Sequence, residues 1–294
     1  MMTEAVAATG EAGMDEVPYL MRGRREVATD SSVLISSSKF LNDARIREWV
    51  TAENLRRNGR DYPMTYGIPA LIAAVREVQD QDRIEVLFKE ARAGWPELDR
   101  WFDERYLSSL TKDDLKGCAP GSIGAIFHRY LVEQNLEIDI IAKFEPKTSF
   151  EYFFLRGVQT HDFMHILGGV GFDYLGETVP AFMKFGNLFR WFKPELAAAL
   201  NVQNTLLTMP TFTRTLLHYP DCWPTMWRLA ENGIRIGETS EALFLPRYED
   251  WLDLTPAQGR EKFGIRNVVE TDTTDLSDIW SEGAQSAAKA LAAE

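Results

Sequence analysis

Apolar residues recur every three or four positions along most of this chain and almost nowhere alternate with polar ones. Leu71, Ile72, Val75 and Val78 form one stripe, Leu98, Trp101 and Phe102 another, and Ile84, Val86, Leu87 and Phe88 open a third helical run. That period argues for amphipathic helices, and no segment alternates long enough to argue a sheet. Pro69 and Pro96 sit where first helical turns begin. Ser36-Ser-Ser-Lys39 is a cap region for a helix running through Leu41–Val50 to Arg57 and stopped by Asn58-Gly59. Ala125–Gln134 follows a Pro-Gly turn, and Asn135–Ile141 reads as a short extended connection. Ser149–Leu167 reads as one continuous helix. Pro210 is expected to break or kink the apolar run around Leu206, and Pro224–Gly233 reads as a short helix with a glycine stop. The pattern predicts an all-α, bundle-like single domain over residues 35–266. A flexible segment precedes it over 1–34, and a mobile acidic, alanine-rich tail or marginal helix follows over 267–294.

Two of the four histidines fall on the central helical run. His161 and His165 are four residues apart, Asp162 follows the first, and Glu177 follows the second after eleven residues. At about 100° per residue these three helical side chains project within roughly one quadrant. An i, i+4 imidazole pair on a helix is the spacing that presents two nitrogens to one metal ion. Gly168, Gly169 and Gly171 end the helix, so the chain turns back and Glu177 opens the next one facing the pair. The helix pair alone fits a metal site and two hydrogen-bonded buried histidines equally. The glycine turn and Glu177 favour metal. Two nitrogens and two carboxylates suit Zn²⁺, with Fe²⁺ or Mn²⁺ as alternatives.

Downstream, Phe182, Phe185, Phe189 and Phe192 fall on one helix face, and Lys184, Arg190 and Lys193 are the only charges between Pro180 and Lys193. The plain expectation is a core helix with a solvated rim; the sharper one is a helix lining an apolar tunnel or resting on a membrane surface. Composition then narrows the partners. With 45% hydrophobic residues the 294-residue chain buries a sizeable core, and its net charge of −12 disfavours nucleic acid. Cys118 and Cys222 are isolated and match no metal or redox pattern. No segment reads as a membrane span, and the start lacks the basic residues of a leader. A cytoplasmic, membrane-peripheral, bacterial protein is the expectation.

The arrangement His161-Asp162, His165 and Glu177 resembles the signature of the fourth Coq protein (Coq-four) of coenzyme Q, or ubiquinone, biosynthesis. Pro120-Gly-Ser-Ile-Gly124 with Tyr130-Leu131, then Arg156, Leu175-Gly176-Glu177, and Tyr248-Glu249-Asp-Trp251 through Gly264-Ile265 resemble further elements of that family. The likeness extends over about 115–265, faintly over 65–115. A second arginine that the family often carries three before the first histidine is Val158 here. The resemblance implies a membrane-associated helical protein with a divalent metal, acting on a polyprenylated quinone precursor or another isoprenoid lipid. It implies a metal-dependent oxidative decarboxylase of a prenylated hydroxybenzoate at ring carbon 1. The alternative is a non-catalytic, lipid-binding scaffold with a structural metal. Arg156 is then a candidate for the substrate carboxylate, and the four phenylalanines for the prenyl tail. Other quinone-biosynthesis proteins and a second copy of the chain are expected partners. A phosphohydrolase of the His-Asp type, with His128 as its upstream histidine, is a third reading that the Glu177 spacing disfavours.

Overall fold

The computed structural model describes residues 35–55, 67–139 except 134, then 141, 144–274 and 276. The expected flexible segment 1–34, the Asn58-Gly59 stop and the tail beyond 276 lie outside the described residues. Among those described there are thirteen α-helices and no strand, so the fold is all-α. The chain from Ser37 onward forms one compact unit.

The N-terminal helices are α1 (Lys39–Asn42), α2 (Ala44–Leu55), α3 (Ile68–Val78), α4 (Gln81–Ala93) and α5 (Pro96–Glu104). The single helix expected from Leu41 is split at Asp43, which turns extended and accepts from the Arg45 backbone N–H at 2.9 Å, capping α2. After α6 (Lys112–Leu115) come α7 (Ile123–Glu133), α8 (Ser149–Gln159), α9 (His161–Gly168), α10 (Thr178–Trp191), α11 (Pro194–His218), α12 (Trp223–Thr239) and α13 (Pro256–Lys262). Apolar residues collect in three clusters. One joins α7, α9, α10 and α12 around Phe163, Leu167, Val179 and Met183. One is a set of rings from α4, α5 and α8 with Phe192. One packs α2 and α3 around Ile46, Trp49 and Leu71.

Two expected helix ends are absent, each for a visible reason. Pro210 lies inside the unbroken helix α11. A proline removes the bond to the carbonyl four residues earlier. Here that carbonyl, on Leu206, accepts instead from the Trp49 indole N–H at 2.9 Å, so no buried acceptor is left unpaired. Gly233 likewise does not end a helix: α12 runs on to Thr239. Gly233 and Gly237 lie one turn apart where α12 crosses α10. A Cβ on Gly233 would stand 2.7 Å from the Phe182 Cβ, and one on Gly186 would stand 2.6 Å from the Ile234 carbonyl. These glycines let two backbones touch. Asn187 then pins the crossing, donating to the Gly237 and Glu241 carbonyls and accepting from the Leu243 N–H.

Separate parts of the sequence meet in this frame. The Ser122–Gly124 turn docks on the C-terminal segment, with the Ile123 and Gly124 N–H groups donating to the Leu254 and Leu252 carbonyls at 2.8 Å each. Residues 267–274, expected to begin a mobile tail, are held down. Thr271 donates its N–H to the Gly169 carbonyl at 2.8 Å, Val269 and Asn232 exchange hydrogen bonds, and Thr273 is buried with its hydroxyl on Asp173. No described helix is long and apolar enough to cross a membrane.

Candidate metal centre

The helix expected to carry both histidines without interruption breaks one residue before them. Thr160 stands between the two helices at φ −101° and ψ −1°, with its N–H and its hydroxyl both donating to the Arg156 carbonyl, at 3.0 and 2.9 Å. It ends α8 and starts α9 at His161 itself. Gly169 closes α9 in the left-handed region, at φ 76°, which a residue with a Cβ rarely adopts. The turn it allows carries Gly171 back against the helix, where its carbonyl accepts from His165 Nδ1 at 2.8 Å.

That hydrogen bond fixes the chemistry of His165. A carbonyl only accepts, so Nδ1 carries the proton and Nε2 keeps its lone pair in the neutral ring. Phe172 stacks on the imidazole with ring centroids 5.2 Å apart, and Tyr130 stacks on Phe172. His165 Nε2 lies 3.3 Å from His161 Nε2. Glu177, the N-cap of α10, reaches both with different oxygens: Oε2 is 3.1 Å from His161 Nε2 and Oε1 is 3.4 Å from His165 Nε2. Two donors each about 2.0–2.1 Å from a tetrahedral ion stand roughly 3.3 Å apart. All three separations fit one shared ion, and His161, His165 and Glu177 form a possible metal-binding group among the described residues. Asp162, the fourth expected ligand, is on the same helix turn but outside that group.

Electrostatics point the same way. Burial opposes charge on His161, but the Glu177 carboxylate and Asp162 more than offset it and raise the imidazole to about 8; Lys184 works against them. Glu177 is held well below the usual carboxylate range: burial would raise it, and the two imidazoles overcome that. Asp162 moves up, pushed by burial and the Glu177 charge against both histidines. Without a metal, then, His161 takes a proton that a cation would replace. Its raised value means this proton stabilises the metal-free fold below about pH 6.5, and that contribution fades as pH rises through about 8. Metal binding runs oppositely. Zinc affinity is expected to fall about tenfold per pH unit below about 8 for each proton displaced. Competition with a fluorescent zinc chelator between pH 6 and 8.5 measures this, and a flat affinity would contradict it.

The other expected site residues have different surroundings. Arg156 is 2% exposed and committed elsewhere: Nη1 donates to Glu249 at 2.7 Å and to Gln159 at 2.9 Å, and Nη2 to Glu249 at 3.3 Å. It is a structural ion pair joining α8 to the Tyr248–Trp251 segment. Three of the four phenylalanines lie on α10 and Phe192 is its C-cap, and they do not share one surface. Phe182 is buried against Phe185 and Phe212. Phe192 is closed in by Phe88, Trp95, Phe153 and Phe244. Phe189 is 50% exposed. Val158 instead lines an apolar cavity of about 150 Å³ with Leu107, Ile138, Phe144 and Leu155. His128 and His218 stay outside the metal group, His218 on the Asn54 carbonyl. No sequence signal marked that cavity, because its wall comes from three distant segments.

No family model and no curated protein matches this chain by sequence. In three dimensions it is similar to a crystal structure of a proposed ubiquinone biosynthesis protein from Nostoc punctiforme. The TM-score is 0.56 at 16% identity, over 77% of this chain and 96% of that one. At that identity the likeness establishes a shared helical fold.

Proposed function

We propose that the chain is a Coq-four-type protein of quinone biosynthesis that uses one divalent ion on a polyprenylated hydroxybenzoate. The observation that carries this reading is the spacing of His161, His165 and Glu177, with His165 already oriented by the Gly171 carbonyl. Two imidazoles and one carboxylate leave a position open on the ion, which is the catalytic pattern; a structural zinc site fills all four. The same donor set is that of non-haem Fe²⁺ oxygenases. The reaction proposed is oxidative decarboxylation: the carboxylate at ring carbon 1 leaves as carbon dioxide, a hydroxyl from water takes its place, and dioxygen accepts the two electrons and two protons to become hydrogen peroxide. A bound Fe²⁺ supplies redox chemistry for that change, whereas Zn²⁺ supplies charge alone.

The chain's own residues bind and orient. His161, His165 and Glu177 hold the ion, and the Phe172–Tyr130 stack keeps His165 from turning. The apolar cavity of Leu155 and Val158, on α8 just before His161, receives part of the tail. Each buried methylene there contributes about 0.8 kcal/mol.

The test is turnover of 3-geranyl-4-hydroxybenzoate labelled at its carboxyl carbon by protein reconstituted with Fe²⁺ or Zn²⁺ in air. Release of labelled carbon dioxide, lost in His161→Ala with the helical spectrum unchanged, supports the enzyme. Ligand binding with a full metal complement and no release would leave the non-catalytic lipid-binding scaffold.

A further inference from the structure

Lys184 is the cation of α10 that the core does not use. It is partly buried, and it makes no ion pair or hydrogen bond among the described residues. Buried and half-buried arginines elsewhere have carboxylate partners: Arg156 has Glu249, Arg214 has Glu53 and Arg76 has Glu151. In a chain with 44 acidic and 32 basic residues an unpaired, partly buried lysine is unusual. Burial alone pulls its ammonium down to about 8. Desolvation without a counter-ion costs free energy, and a ligand anion would offset that cost.

Its position relates it to the metal group. Lys184 follows Glu177 by seven residues, two helical turns, and so lies within about 20° of it around α10. Side chains on a helix lean toward its N-terminus, which is the Glu177 end. The Lys184 charge is felt at His161, where it opposes protonation. Arg156, the other candidate for an anionic head, is occupied by Glu249.

We propose that the Lys184 ammonium receives the carboxylate of an aromatic acid beside the open position of the ion held by His161, His165 and Glu177. This rests on the metal reading above and adds the group that selects an acid. A divalent ion, two neutral imidazoles, Glu177, Asp162 and Lys184 together carry net positive charge, in a protein of net charge −12. The site therefore attracts an anion where the surrounding surface repels one.

The test is calorimetric titration of the zinc-loaded full chain with 3-geranyl-4-hydroxybenzoate and, separately, its carboxamide. Lys184→Met is expected to weaken the acid about 10- to 100-fold, the loss of one charge-assisted hydrogen bond. It should leave the carboxamide affinity and one zinc per chain unchanged, and Lys184→Arg should recover most of the loss. An unchanged acid affinity in Lys184→Met, an equal loss for both ligands, or no binding of either ligand by the zinc-loaded wild type overturns the assignment. Failure of the wild type to hold zinc, read on the same samples, overturns the metal reading and this proposal with it.

Discussion

Replacing Arg156 by methionine is expected to lower stability by about 3–5 kcal/mol. Glu249 is 4% exposed and both its oxygens accept from Arg156. The variant would strand a buried carboxylate, the costly way to break an internal ion pair. In a domain of this size that is a fall in Tm of about 10 °C. Adding Glu249→Gln should recover much of the loss, since the stranded charge goes with it. Zinc stoichiometry at temperatures where the variant is folded should not change, because Arg156 belongs to the frame and not to the metal group. A loss below about 1 kcal/mol in a chemical denaturation curve would show that the pair is not what joins α8 to the Tyr248–Trp251 segment.

Gly237→Ala is expected to cost about 3 kcal/mol, although alanine favours helices. The added Cβ would press on the Met183 carbonyl and stand 2.7 Å from the Asn187 nitrogen and 3.0 Å from Gly186 Cα. All three atoms are backbone, so no rotamer change relieves the contact, and α10 must move away from α12. Because Glu177 is the N-cap of α10, that movement should also weaken zinc. Gly157→Ala is the control, a helical glycine whose Cβ meets nothing within 4 Å. It should be neutral or mildly stabilising. The urea midpoints of the two variants decide the matter, and similar values would contradict the account of the α10–α12 crossing.

Periodicity made the helical character legible. Pro69 and Pro96 marked true first turns, and of the four residues expected to converge, His161, Asp162, His165 and Glu177, the fold brings three donors, His161, His165 and Glu177, together. Three things were not legible, because each depends on a partner distant in sequence. Pro210 reads as a break unless Trp49 is known to take up the Leu206 carbonyl. Gly233 reads as a stop unless α10 is known to lie against it. Arg156 reads as a free cation near a histidine pair until Glu249 arrives from 93 residues away. Asp162 is a case of a different kind. It shares α9 with both histidines, yet the three-donor group forms with Glu177 and without it. Lys184 looked like one charge of a basic rim; only its burial and lack of a counter-ion set it apart.

The central claim is that His161, His165 and Glu177 hold one ion together. Native mass spectrometry of the full chain, loaded with a slight excess of Zn²⁺ at pH 8 and desalted, tests it most directly. The account predicts one zinc per chain in the wild type and in Asp162→Asn, and none in His161→Ala or Glu177→Ala, with all four proteins equally helical. A wild type without zinc, or zinc retained by both His161→Ala and Glu177→Ala, would contradict it.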